Sequence, residues 1–296
     1  MIEGMVRLPA GRFFMGSDAA YPEEAPVHPV DVAAFAIDIT PVTNAAFRQF
    51  VDDTGYVTVA EQQPAAADYP GADPGLLAPG ALVFRKTNGP VDLRDVHAWW
   101  SYVPRASWRE PEGPGSTLRG REDHPVVQVA FEDAQAHARW RGADLPSESE
   151  WEYAARGGLD RAIYAWGNEL APNGRAMANT WQGEFPWQDL TLDGYGGTSP
   201  VGAFPPNGFG LYDMTGNVWE WTADEFTPMH VPSSSAPCCA PVSIWKGGGP
   251  HIPTKVTKGG SYLCAPNYCL RYRPSARSPQ SIDSATCHLG FRCVVR

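Results

Sequence analysis

Two cysteines near the end of the chain, Cys264 and Cys269, lie in the segment "GGSYLCAPNYCLRYRPSAR" with four residues between them. A separation of five points side chains to opposite faces of a strand and sets them about 140° apart on a helix, so neither element brings both sulfurs to one point. A turn does, and Ala265-Pro266-Asn267 supplies residues for one. Such a loop admits a local disulfide, a thiol redox pair, or a clasp for one soft ion. Zinc usually takes four ligands, often in Cys-x2-Cys pairs, and this spacing is wider. Two thiolates in nearly linear geometry suit Cu(I). On the residues alone, the disulfide and redox readings stay open beside the metal.

The other cysteines speak less clearly. Cys238-Cys239 stands in "VPSSSAPCCAPVS", and adjacent cysteines seldom bond to each other because the ring is strained. Together with Cys264 and Cys269 they would make a four-sulfur zinc set. Cys287 and Cys293 read as small buried hydrophobes. No GxGxxG follows an expected strand, so nothing points to a nicotinamide or flavin site.

The elements that must position the pair are modest. There are 30 Gly and 29 Pro in 296 residues, about one in five, yet 11 Trp, 11 Tyr and 12 Phe argue against disorder. Irregular backbone clamped by large side chains is the expectation. "GMVRLPAGRFFMGS" reads as strand, Pro-Ala-Gly turn, strand. Thr43 caps a helix carrying Phe47, Phe50 and Val51, ended by Gly55. Glu61 to Gly120 reads as irregular. His124 to Gly142 reads as a strand followed by an amphipathic helix. In "LPSESEWEYAARGG", Ser147 and Glu150 form a capping box, and Gly157-Gly158 stop the helix. Beyond it only short strands and turns are expected, with "NGFGLYDMTGNVWEW" and "KVTKGGSYL" the most strand-like. No linker and no repeat divides the chain, which predicts a single domain over 1–296.

Charge and hydropathy narrow the function. The formal net charge is −10 and no basic run appears, which argues against nucleic-acid binding. No stretch approaches the ~20 apolar residues of a membrane span, and the opening residues lack a cationic, then apolar, export pattern. The expectation is a cytoplasmic monomer. In a reducing compartment a close cysteine pair is more often catalytic or metal-binding than structural.

Taken in order, "LPAGRFFMGS", "SWREPEGPGS", "DHPVVQVAFEDA", "LPSESEWEYAARGG", "ANTWQGEFP", "FPPNGFGLYDMTGNVWEWTAD", "KGGSYLCAPNYCLRYRPSAR" and "HLGFRC" resemble the formylglycine-generating enzyme, or sulfatase-modifying factor, family over nearly the whole chain. The resemblance implies an irregular α/β globule with a C-type-lectin-like fold and little regular secondary structure. It implies that Cys264 and Cys269 bind one Cu(I), with the substrate cysteine as a third sulfur ligand. The implied reaction is O2-dependent oxidation of a cysteine to Cα-formylglycine, with sulfide released. The implied partner is an unfolded or nascent sulfatase polypeptide carrying Cys-x-Pro-x-Arg, an extended segment suited to a surface groove.

Further roles rest on the same resemblance. Ser261 matches an active-site serine and Trp219 an aromatic lining the pocket. Tyr268, Arg271 and Arg273 flank the sulfurs, the arginines suited to stabilising negative charge. His288 stands where many members carry Asn, and either side chain hydrogen-bonds into a pocket, while His also shuttles protons. Asp213, Gly216, Val218 and Glu220 match one calcium set, in which carboxylates and backbone carbonyls supply the oxygens that hard Ca2+ requires. Asn179, Thr180, Asp193 and Tyr195 match a second. Trp99, Trp100 and Trp108 are candidates for a groove wall or for core. The seven histidines lack the His-x3-His-x-Glu spacing of an iron site such as that of sulfoxide-forming relatives. A lectin-like binding module that lost catalysis, or a related thiol or copper oxygenase acting on another peptide, are the alternatives.

Overall fold

A computed structural model of the chain describes residues 3–230 and 252–296. Helix α1 (Asn44–Thr54) starts where Thr43 Oγ1 accepts the Ala46 N–H, a cap worth about 1 kcal/mol. It ends at Gly55, whose φ of 70° closes a left-handed C-cap. Phe47, Phe50 and Val51 are buried on its inner face. Helix α2 (Phe131–Trp140) packs beside it, started by Asp133, whose carboxylate accepts the Ala130 N–H at 2.8 Å. Helix α3 (Glu148–Arg156) carries the expected Ser147–Glu150 capping box and stops at the left-handed Gly157.

The strands form four small sheets. Strands β1 (Met5–Leu8) and β11 (Val294–Val295) flank β4 (Phe35–Asp38), both antiparallel to it. Strand β2 (Gly11–Met15) pairs with β3 (His28–Val32), so the two opening strands join different sheets. Strands β5 (Gly80–Phe84) and β6 (Trp100–Pro104) form a hairpin-like pair inside the stretch expected to be irregular. Alternating burial along β5, with Ala81 and Val83 inward, is the period-two signal hidden there by surrounding Pro and Gly.

The fourth sheet, in order β10-β7-β8-β9, carries the site. Its members are β7 (Trp219–Glu225), β8 (Thr254–Lys258), β9 (Arg277–Ser281) and β10 (Leu289–Gly290). Only β10 and β7 run parallel. The strand expected before α2 is absent. Val126 N–H bonds to Val42 and Gln128 N–H to Thr286, and Gln128 has a φ of 60°, so this backbone bonds to separate segments rather than to one ladder.

The two largest of four apolar clusters among the described residues hold these pieces together. One joins α1, α2 and β7 around Trp108, Trp221 and Phe291 and includes Cys264. The other packs α3 against β1 and β4 around Trp151 and Phe35. Between them runs a buried ionic network. Glu152 meets Lys258 at 2.9 Å and Arg156 at 2.7 Å, while Arg292 clasps Glu220 through two nitrogens at 2.7 and 2.8 Å. Burial opposes ionisation of Glu152, but Lys258 and Arg156 hold its carboxyl down at about 2. This irregular α/β architecture is the one expected. Among the described residues, no helix is long and apolar enough to cross a membrane.

Candidate active site

Strand β8 delivers the chain to Gly259-Gly260, and both glycines have positive φ. A Cβ on Gly260 would lie 2.7 Å from the Arg271 carbonyl oxygen and 2.9 Å from the Tyr272 nitrogen. Only a residue without a side chain lets these two segments close up. Ser261 to Cys269 then curls on itself. Cys264 N–H donates to the Ser261 carbonyl at 2.9 Å, and Tyr268 and Cys269 N–H both donate to Ala265 O, at 3.1 and 2.8 Å. The turn expected at Ala265-Pro266-Asn267 therefore forms and brings the sulfurs 3.1 Å apart. Both are free thiols, well beyond the ~2.05 Å of a disulfide bond.

The two thiols are not equivalent. Cys264 is 1% exposed, and burial, reinforced by its neighbour, pushes its thiol well up. Cys269 is half-buried, and its thiol is held below the ordinary value. The hydrogen bond from Cys264 is the main cause, and Arg271 adds to it against the effect of burial. Cys269 is thus the more acidic of the pair and Cys264 its hydrogen-bonded partner.

Ser261 is fully buried, its Oγ accepting from Leu263 N–H at 3.2 Å. Its own N–H, rather than its hydroxyl, points at Cys264 Sγ at 3.4 Å. Trp219 is buried in the same cluster as Cys264, with its backbone N–H on the His288 carbonyl. Tyr268 stacks on Phe185 at 4.6 Å and meets the edge of Trp99 at 5.3 Å. Trp100 faces His288 at 4.9 Å. Trp108 is core, fully buried against Phe47. The His288 ring bonds to Thr286 Oγ1 at 2.7 Å, and burial lowers it to about 3. A ring kept neutral at that level suits hydrogen bonding rather than proton shuttling.

Sequence reading missed the turn Tyr21–Glu24, which lies over the sulfur loop. Tyr21 Oη accepts Leu270 N–H at 3.1 Å, and the Arg271 guanidinium sits 4.1 Å over the Tyr21 ring while pairing with Glu23. Arg273 pairs with the buried Glu24 at 2.8 Å. Two adjacent glutamates and two arginines at i and i+2 were the available signal.

The calcium sets differ in fitness. Asn179 Oδ1 is buried with no partner in the protein, while Asn179 Nδ2 donates to Gly197 O. Beside it, Asp193 accepts from Thr180 N–H at 3.1 Å and Tyr195 N–H at 3.0 Å. An orphaned amide oxygen next to a carboxylate and backbone carbonyls fits a hard cation. The first set fits less well, because both Glu220 oxygens are taken by Arg292 and one also by Trp151 Nε1. Asp213 is buried, pushed up to about 6 by that burial, and accepts Gly202 N–H at 2.7 Å. Gly216 packs directly on the Asn179 carbonyl, and Val218 is buried beside Gly290, so the two loops abut.

Cys238 and Cys239, and with them any four-sulfur zinc set, lie outside the described residues. Cys287 and Cys293 are buried, as expected. A cavity of about 750 Å³ is lined by Phe13, Tyr153 and Phe209 among others and contains none of the sulfur-loop residues. Among the described residues no group of three or more His, Cys, Asp or Glu is poised around a metal, so the sulfur pair alone offers two ligands.

Comparison with known proteins places this architecture. The chain matches the sulfatase-modifying factor enzyme 1-like domain over residues 1–296. It is 59% identical over 295 residues to the formylglycine-generating enzyme of Mycobacterium tuberculosis, covering 99% of this chain and 98% of that protein. It is 42% identical to the inactive C-alpha-formylglycine-generating enzyme 2 of Mus musculus, covering 98% of this chain and 84% of that one. Among solved structures, PvdO from Pseudomonas aeruginosa aligns with a TM-score of 0.61 at 27% identity, covering 99% of this chain and 94% of that chain. With a matching domain across its full length and such a relative over nearly all of it, the chain belongs to the sulfatase-modifying factor, or formylglycine-generating enzyme, family.

Proposed function

We propose that the protein oxidises a cysteine in a sulfatase polypeptide to Cα-formylglycine with O2. One observation carries the reading: two free thiols converge to 3.1 Å, and one of them is acidified. Cu(I) held by Cys264 and Cys269 would supply one-electron chemistry with O2 and a further coordination position for the substrate sulfur. The residues fit that ion, being soft and paired. Cys269, the more acidic of the two, ionises the more readily, and Cys264 gives up its proton on metal binding. Arg271, fixed by Glu23 and Tyr21, balances the negative charge that three sulfurs concentrate. Tyr268 and Trp99 give an aromatic wall beside the pair. A calcium ion at Asn179 and Asp193 would brace the loop that leads to Trp181, whose N–H bonds to the Cys264 carbonyl. The place of reaction is the cytoplasm, where a substrate is met unfolded.

The test is incubation with Cu(I), O2 and a Cys-x-Pro-x-Arg peptide, read by mass spectrometry. An aldehyde product from the intact protein, absent in both Cys264→Ala and Cys269→Ala, is expected. An unmodified peptide in the presence of copper-loaded protein would overturn the reading, and would place this chain with the relative named inactive.

A further inference from the structure

The proposed reaction does not balance on substrate and O2 alone. Written out, one substrate cysteine, one O2 and two molecules of an external thiol give the aldehyde, one hydrogen sulfide, one water and the disulfide of that thiol. Four electrons reduce O2 to the level of water; the substrate gives two and the thiol reductant must give the others. Those two have to reach a pair of sulfurs of which one is sealed from solvent and the other is covered when a peptide sits on it.

We propose that Tyr272, Tyr164 and Trp166 form an electron-transfer ladder between the Cys264–Cys269 pair and the protein surface. Tyr272 is 1% exposed and belongs to the same packed cluster as Cys264. Burial first, then Tyr164 and the two sulfurs, push its phenol upward. The Tyr164 ring lies stacked on Tyr272, with centroids 6.2 Å apart and planes 17° apart. Trp166 stacks on Tyr164 at 5.1 Å and 7°. The indole is partly exposed, and its N–H donates to the Glu169 carbonyl at 2.8 Å. Phenol and indole lose one electron at potentials within reach of an oxidant strong enough to attack a C–H bond, and phenyl does not. Three such rings in offset, near-parallel series, from the cluster that holds Cys264 out to the surface, make a route for single electrons moving inward. Each ring is restored after each transfer, so only the two ends change: a thiol outside is oxidised and the sulfur site is reduced. The need for this route rests on the oxidase reading, but the route itself is a property of the metal-free protein.

That allows a test without copper or O2. Ruthenium(III) tris-bipyridine, generated by light with a cobalt(III) quencher, takes electrons from surface rings. The electrons lost come from the sulfur pair: two thiols become a disulfide, giving two electrons to two ruthenium centres and two protons to solvent. Expected is light-dependent loss of free thiol at Cys264 and Cys269, read by alkylation and mass spectrometry. This loss falls toward the dark control in Trp166→Phe and in Tyr164→Phe, and returns in Trp166→Tyr, which keeps an oxidisable ring. Both phenylalanine variants keep the stacked shape, and thermal unfolding checks that they fold. Equal thiol loss in the wild type and both phenylalanine variants overturns the ladder. Aldehyde assays on the same preparations separate the two ideas: a wild type that makes no aldehyde sinks the oxidase reading, whatever the light experiment gives.

Discussion

Cys264 and Cys269 sit 3.1 Å apart with unequal acidity, and this asymmetry can be tested one residue at a time. In the metal-free protein, iodoacetamide at neutral pH is expected to alkylate Cys269 first and Cys264 much later, because the thiolate is the nucleophile and Cys264 is both buried and protonated. A mass-spectrometric time course reads the order; equal rates would refute the assignment. Arg271→Gln removes one of the charges that hold Cys269 down, so its alkylation at neutral pH slows, and Arg271→Lys restores part of the rate. Metal affinity follows the same logic. Cys264 must lose a proton on binding, so apparent Cu(I) affinity rises with pH, by about tenfold per unit where one proton is released. Chelator competition across the neutral range measures the slope, and a flat profile contradicts a protonated Cys264. At this scale the turn that joins the two sulfurs was legible in Ala265-Pro266-Asn267. The sequence was silent about how Cys264 and Cys269 differ, because the difference comes from burial and from Arg271, which Glu23 holds in place from the other end of the chain.

At the scale of elements, local chemistry was legible wherever a cap or a glycine decided the outcome. Thr43, Gly55, Ser147, Glu150 and Gly157 all act as their residue types require. Ser147→Ala is expected to cost about 1 kcal/mol, measured by denaturant unfolding. The strand expected before α2 failed because its apolar run is buried by irregular packing, not by a ladder, and hydrophobicity alone does not separate the two. The β5–β6 pair was hidden for the converse reason, its alternation broken up by neighbouring Pro and Gly. Gly260 makes the sharpest prediction of this kind. Gly260→Ala drives a methyl into the Arg271 backbone at 2.7 Å from a positive φ, which costs on the order of 1–3 kcal/mol and spreads the sulfur pair. Loss of Cu(I) binding with the helices intact is the expected signature. For the loop at Asn179, added Ca2+ raises the melting temperature, by an amount equivalent to about 2.7 kcal/mol at a hundredfold excess over Kd, and Asn179→Ala removes most of that rise.

Across the whole molecule, buried ion pairs join segments far apart in sequence, such as Glu152 with Lys258 and Glu220 with Arg292. Glu152 has its folded value near 2 against an ordinary 4.5. Its contribution, on the order of 3 kcal/mol, is therefore present above about pH 4.5 and is lost as pH falls toward 2. Glu152→Gln should flatten acid unfolding in that window while lowering stability at neutral pH, since Lys258 and Arg156 are left buried without their partner. None of these pairings could be read from the sequence, where Glu152 is one acid among 33. The turn Tyr21–Glu24 raises a matter of timing. It closes over Leu270–Arg273, and β10 lies against β7 from still later in the chain. During synthesis the first half of this contact waits, exposed, for a partner at the far end of the sequence. A ribosome-bound fragment ending before Cys269 carries neither the closed turn nor the sulfur clasp. Closure over the sulfur pair therefore waits until Leu270–Arg273 has been made, so the two halves of this contact come together late in synthesis.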